Sequence, residues 1–189
     1  MTKAIERARK QGWVGLLLLA LCPSPAIAAE DSDRFKSIYE AEWDFRLREF
    51  PLFASSAGVH DYDDRLGHVS EADQARRHAF WKEVRAQLDT VSCARLTRQE
   101  CIDYRIFVRQ MDNFIAAYET QSYLIPFNSD WGFFMEWARL PDDTEFSRAE
   151  DYRRYLARLH ELSTVMDEYI VLMRSGVEKG FTQPRAVLH

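Results

Sequence analysis

The densest group of side chains able to hold a metal is His60, Asp61, Asp63, Asp64 and His68. Two imidazoles set among carboxylates could bind a transition metal. Calcium in the EF-hand manner is excluded, because a loop opening at Asp61 needs a glycine at its sixth position and a bidentate glutamate at its twelfth. Leu66 and Ala72 stand there instead. The alternative reading of the cluster is structural. Aspartates in a polar turn accept from nearby backbone N–H groups, and Asp63, Asp64 and Arg65 can pair with charges that fix the segment to neighbouring helices.

Asp142, Asp143 and Glu145 supply the residue types of a glycosidase, whose two carboxyl groups face each other several ångströms apart across a cleft. Just before a helix they have a simpler explanation, the positive end of the helix dipole. No Gly-x-Ser-x-Gly turn presents a hydrolase nucleophile. Arg185 follows Pro184 in a tight turn and can either meet a substrate carboxylate or cap the last carbonyls of the preceding helix. No acidic-substrate signature accompanies it, which favours the cap. On this reading the chain holds no catalytic, cofactor-binding or metal-ligating residue.

Helices must position all of these groups. Asp31 or Ser32 can cap a helix running to Phe50, with Phe35, Ile38, Tyr39, Trp43, Arg46, Leu47 and Phe50 on one face, and Pro51 closes it. Residues 52–69 show no sustained period and read as a long loop. Ser70 and Asp73 have capping-box spacing before a pattern through Ala75, Phe80, Trp81, Val84 and Leu88, and Thr97 with Glu100 repeats the signal before Tyr104, Phe107, Val108, Met111, Phe114, Ile115 and Tyr118. The short connection around Cys93 makes these two helices antiparallel neighbours.

Residues 122–141 are aromatic without clear period: Tyr123, Phe127, Trp131, Phe133, Phe134 and Trp137. They predict an irregular or short-helical crossover, its rings buried, touching a membrane or lining a substrate cleft. Ser147 to Glu150 then opens the longest helix, whose apolar stripe runs Tyr152, Tyr155, Leu156, Leu159, Leu162, Val165, Met166, Tyr169, Ile170, Met173 and Val177, with Arg153, Arg154, Arg158, Glu161, Asp167 and Glu168 off it. Gly176 and Gly180 are expected to end it, and Ala186 to Leu188 begins another apolar run. The fold class is all-α, an irregular antiparallel bundle.

Lys3, Arg7, Arg9 and Lys10 precede the apolar run Trp13 to Leu21, and Ala26-Ile27-Ala28 supplies a small-x-small site. This predicts a signal peptide over residues 1–28 and a helical region over 29–189, in the periplasm or secreted. The run falls short of the roughly 20 residues of a membrane span, although an uncleaved anchor is the alternative. Leu21 before Cys22 argues against lipidation. Losing four basic side chains and Glu6 takes the net charge from −5 to −8, which disfavours nucleic acid. Of the remaining cysteines, Cys93 and Cys101 either form a bridge or stay separate thiols, since sequence does not fix the Cα separation a bridge needs.

Three blocks together resemble the N-terminal part of the exported bacterial DUF885 family: Gly58 to Leu66, Tyr123 to Phe127, and Arg174 to Arg185. The resemblance implies an all-helical, larger zincin-like fold and zinc-metallopeptidase-like chemistry, with zinc expected in a full-length member and the His-Glu-x-x-His helix downstream of the Pro184-Arg185 block. Here the one His-Glu pair is His160-Glu161, and Thr164 stands where the second histidine is needed. The resemblance therefore implies a scaffold segment, silent alone, whose partner is the missing C-terminal region of its own fold and, at full length, a peptide substrate. A self-contained periplasmic helical binding domain is the alternative. The aromatic crossover and the Ala186–Leu188 run, left uncovered, would promote self-association.

Overall fold

The computed structural model describes residues 25–128 and 130–187; the basic and apolar N-terminal run and Leu188 fall outside them. The described residues form six α-helices and no strand: α1 (Pro25–Glu49), α2 (Pro51–Ser56), α3 (Glu71–Leu88), α4 (Arg98–Glu119), α5 (Phe134–Arg139) and α6 (Ala149–Glu178). The fold is all-α, as the periodicity predicts. No helix among the described residues is long and apolar enough to cross a membrane.

Helices α1, α3 and α4 share one core. Phe35, Ile38, Trp81, Val84, Leu88, Val91 and Met111 are buried together, each worth about 1.5–3 kcal/mol relative to exposure for a large apolar side chain. The order of contacts fixes the directions. Tyr104 Oη donates to the Leu88 carbonyl at 3.1 Å, Trp81 packs on Phe114, and His78 stacks on Tyr118, so α3 and α4 run antiparallel. Ser70 and Thr97 cap them as expected, Thr97 and Glu100 exchanging backbone hydrogen bonds in a full capping box. Cys93 and Cys101 are disulfide-bonded across the connection, with Cα atoms 5.0 Å apart, which resolves the choice left open by sequence.

Helix α1 departs from expectation at both ends. It begins at Pro25, and the two residues expected to cap it are spent on tertiary contacts: Asp31 accepts from Ser92 N at 2.9 Å and pairs with Arg95, while the Ser32 hydroxyl donates to Glu100. Pro51 closes α1 but also opens α2, because a proline at the first helical position gives up an N–H that would be unpaired anyway. Part of residues 52–69 is therefore helical and not loop. The α1 face also rotates from the expected one. Glu42 and Phe45 are buried, whereas Tyr39 and Trp43 are more than a third exposed. Glu42 is tolerated inside because Arg46 binds it through two N–H groups and Trp81 Nε1 donates to it at 3.3 Å.

Helix α6 starts at Ala149 with Asp151, not Glu150, as its capping carboxylate, accepting from Arg148 N at 2.8 Å and Ser147 N at 3.1 Å; the Ser147 hydroxyl turns to Glu145. It runs through Gly176 to Glu178, so Gly176 does not end it. Gly176 is needed for close approach: a Cβ there would lie 3.0 Å from the Phe181 carbonyl and 3.1 Å from that of Leu124. The stop is Gly180, whose φ of 69° lets Gly180 N reach the Val177 carbonyl and Phe181 N that of Gly176, a Schellman closure. This leaves no task for Arg185 as a cap. It sits exposed in the short 3-10 turn Arg185–Val187.

Candidate functional site

The acidic segment after α2 does not gather around a metal. It is fastened, from one end to the other, onto α6. Arg154 donates to the His60 carbonyl at 2.9 Å. The Arg158 guanidinium donates to the carbonyls of Arg65 and Tyr62, to Ser55 Oγ and to Asp63 Oδ1 at 3.2 Å. Glu161 accepts from Leu66 N at 2.6 Å, and Glu168 accepts from Val69 N and His68 Nδ1, both at 2.8 Å. Burial pushes the Arg158 guanidinium down from its ordinary value, and the neighbouring Asp63 and Asp64 push it back. Arg158 is polar and lies off the apolar stripe, yet it is 2% exposed.

His60 pairs with Asp63 at 2.9 Å and Asp64 with Arg65 at 3.1 Å, while Asp61 is exposed. His60 and His68 are therefore engaged by different carboxylates, Asp63 and Glu168. Among the described residues no three His, Cys, Asp or Glu side chains are grouped as a metal would require. His160 is exposed on α6 while Glu161 turns inward to the Leu66 amide, so these two do not fit a zinc centre with Thr164 one turn on. Asp142, Asp143 and Glu145 are exposed, with a long approach of Asp143 to Arg139 and a hydrogen bond from Ser147 to Glu145.

The aromatic crossover divides. Phe133 is buried and stacks on Tyr169 of α6 with ring centroids 3.8 Å apart, Trp137 packs edge-on against both, and burial pushes the Tyr169 hydroxyl up to about 12. Trp131, Phe134 and Met135 remain exposed. Gln183 Nε2 donates to the Phe127 carbonyl at 2.9 Å, so the second and third of the three sequence blocks meet in space.

Two open clefts of about 410 Å³ each flank α6. The first lies between the end of α1, the start of α3 and the acidic segment, and is lined by Arg48, Glu49, Arg65, Arg76, Arg77 and Glu161 among others. Its charges largely neutralise one another: Arg76 and Arg77 both bind Glu49, at 2.7 and 2.9 Å. The second lies between the ends of α4 and α6 and is lined by Tyr118, Glu119, Gln121, Tyr123, Lys179 and Phe181. At its rim Gln121 has φ 56° and ψ 27°, a left-handed conformation adopted by no other non-glycine residue among those described, at roughly 1–2 kcal/mol. Sequence reading missed this cleft, since its residues come from separate helices and from the turns after them.

The fold and these sites define an all-helical protein in which a three-helix bundle carries a long outer helix through a polar segment, with two open clefts and no assembled metal centre among the described residues. The chain belongs to the DUF885 family. That family's model, described as a bacterial protein of unknown function, matches residues 51–189, from α2 onward. No curated protein and no solved structure matches the chain.

Proposed function

We propose that this chain is the N-terminal helical scaffold of an exported, zinc-metallopeptidase-like DUF885 protein, and that zinc and the general base come from residues outside it. The observation that carries the reading is the second face of α6. Its docked face holds Arg158, Val165, Leu172 and Gly176, all buried. On the other side Tyr152, Leu156, Leu159, Met166 and Val177 are 37–66% exposed in one line. An apolar stripe of that length is the face by which a helix packs on further helices, and here it is the surface offered to the rest of the family fold. The Cys93–Cys101 bridge supports export to an oxidising compartment. Peptide is the substrate class for the full-length protein, and no catalytic step falls to this chain.

The test is the intact mass and N-terminal sequence of the native product, with the coding sequence beyond His189. The expected result is a product longer than the 22.2 kDa chain, starting at Ala29, whose frame runs on to a His-Glu-x-x-His helix. A native mass equal to residues 29–189 overturns the scaffold reading and leaves a self-contained periplasmic binding domain.

A further inference from the structure

The cleft between the ends of α4 and α6 carries an inference independent of the scaffold reading. Three aromatic rings line it, Tyr118, Tyr123 and Phe181, together with one carboxylate, one ammonium and one amide from Glu119, Lys179 and Gln121. The wall is built, since His78, Tyr118 and Tyr123 form a continuous stack with centroid spacings of 4.3 and 5.5 Å and ring planes within 17° of parallel. Behind it, His78 Nε2 is buried without a hydrogen-bond partner and lies 3.6 Å from Glu119 Oε1. Gln121 at the rim is the residue just past the end of α4, where its left-handed conformation and the bond from its N–H to the Tyr118 carbonyl close the helix. The recorded partner of Lys179 is Glu71, at 3.4 Å on an exposed surface, a pairing weak enough to be exchanged for a ligand carboxylate.

We propose that this cleft binds a small zwitterion bearing a planar apolar ring, the chemical class of free aromatic α-amino acids. The ring packs flat against Tyr123 and Phe181. Lys179 takes the ligand carboxylate and Glu119 its ammonium, so that one positive and one negative side chain meet a ligand with one charge of each sign.

The experiment titrates the full chain with L-phenylalanine, phenethylamine and 3-phenylpropionate, the last two each lacking one charge, reading calorimetry and the NMR signals of the Tyr and Phe rings. L-Phenylalanine is expected to bind saturably and each analogue about tenfold more weakly, the loss of one charge-assisted contact. Lys179→Met should weaken L-phenylalanine about tenfold and erase its advantage over phenethylamine; Glu119→Gln should erase its advantage over 3-phenylpropionate. Both side chains are exposed, so both variants should keep the parent circular dichroism. Absence of saturable binding up to about 20 mM, equal binding of the three probes, or variants with unchanged preference each overturn the proposal.

Discussion

Replacing Arg158 by methionine tests whether the polar segment after α2 is held by α6. The side chain is 2% exposed and donates to three backbone carbonyls besides Ser55 Oγ and Asp63 Oδ1. Breaking a buried ion pair from one side destabilises by about 3–5 kcal/mol, mostly through the groups left unpaired. Asp63 keeps Ser55 and His60 as partners, which places the loss at the lower end, about 3 kcal/mol. For a chain of this size each kcal/mol moves the melting temperature by about 2–4 °C, so Arg158→Met should lower it by roughly 6–12 °C. Arg158→Lys should recover less than half, because an ammonium cannot reproduce the planar fork that reaches several acceptors at once. Urea melts give the first number, and limited proteolysis gives the location, with new cleavage expected within residues 57–66. A methionine variant within about 0.5 kcal/mol of the parent, or one that loses stability with no change in the cleavage pattern, would refute the assignment of Arg158 as the fastener.

Reducing the Cys93–Cys101 bond, which closes a separation of eight residues, should lower stability by about 2–3 kcal/mol through loop entropy; two free thiols in the unreduced, denatured chain starting at Ala29 would reject the bridge itself. Acid should loosen the helix starts. Hydrogen bonds from Ser32 and Thr97 hold the Glu100 carboxyl below its ordinary value of 4.5, and at Asp73, where burial alone would raise the value, bonds from Ser70 and Arg76 outweigh it. A depressed folded value means stability present above pH 4.5 and lost as pH falls through the lower folded value. Glu100→Gln should therefore flatten the acid limb of the melting curve, and superimposable limbs would count against this. Leu159→Glu on the exposed α6 face should leave stability within about 0.5 kcal/mol while abolishing self-association and hydrophobic dye binding; a monodisperse, dye-free parent chain would remove the basis for that expectation.

The helix starts of α3 and α4 are legible in the sequence because capping is local: Ser70 and Thr97 need partners three residues away. Pro51 misleads because its local chemistry serves equally to end one helix and to begin another. The apolar stripe of α6 is real, but periodicity tells which residues share a face and not which face meets the protein. Here Leu156 and Val177 face out while Arg158 faces in. Asp31, Glu42, Arg77 and Arg158 are buried charged residues that periodicity does not single out, since the groups that satisfy them lie wholly or partly on other elements: Arg95, Trp81 beside Arg46, Glu49 and Asp63. The structural reading of Asp63 and Arg65 is realised through Asp63 with Arg158, whereas the cleft of Tyr118, Tyr123 and Phe181 requires two helix ends to converge and has no local signature.

The two halves of α6 are secured by different forces. From Arg154 to Glu161 it is tied down chiefly by hydrogen bonds to carbonyls, an amide and a carboxylate, whereas from Val165 to Gly176 it buries Val165, Leu172 and the Tyr169 stack in addition to the bonds Glu168 makes to His68 and Val69. Releasing the first half exposes little apolar area, the quantity that sets the denaturant slope and the heat capacity of unfolding. Its amides should exchange with solvent at rates nearly independent of low urea, whereas those near Leu172 should wait for an opening that urea promotes. The N-terminal half of α6, with Tyr152 and Leu156 on its exposed face, is then the part whose position depends on polar contacts with the segment after α2.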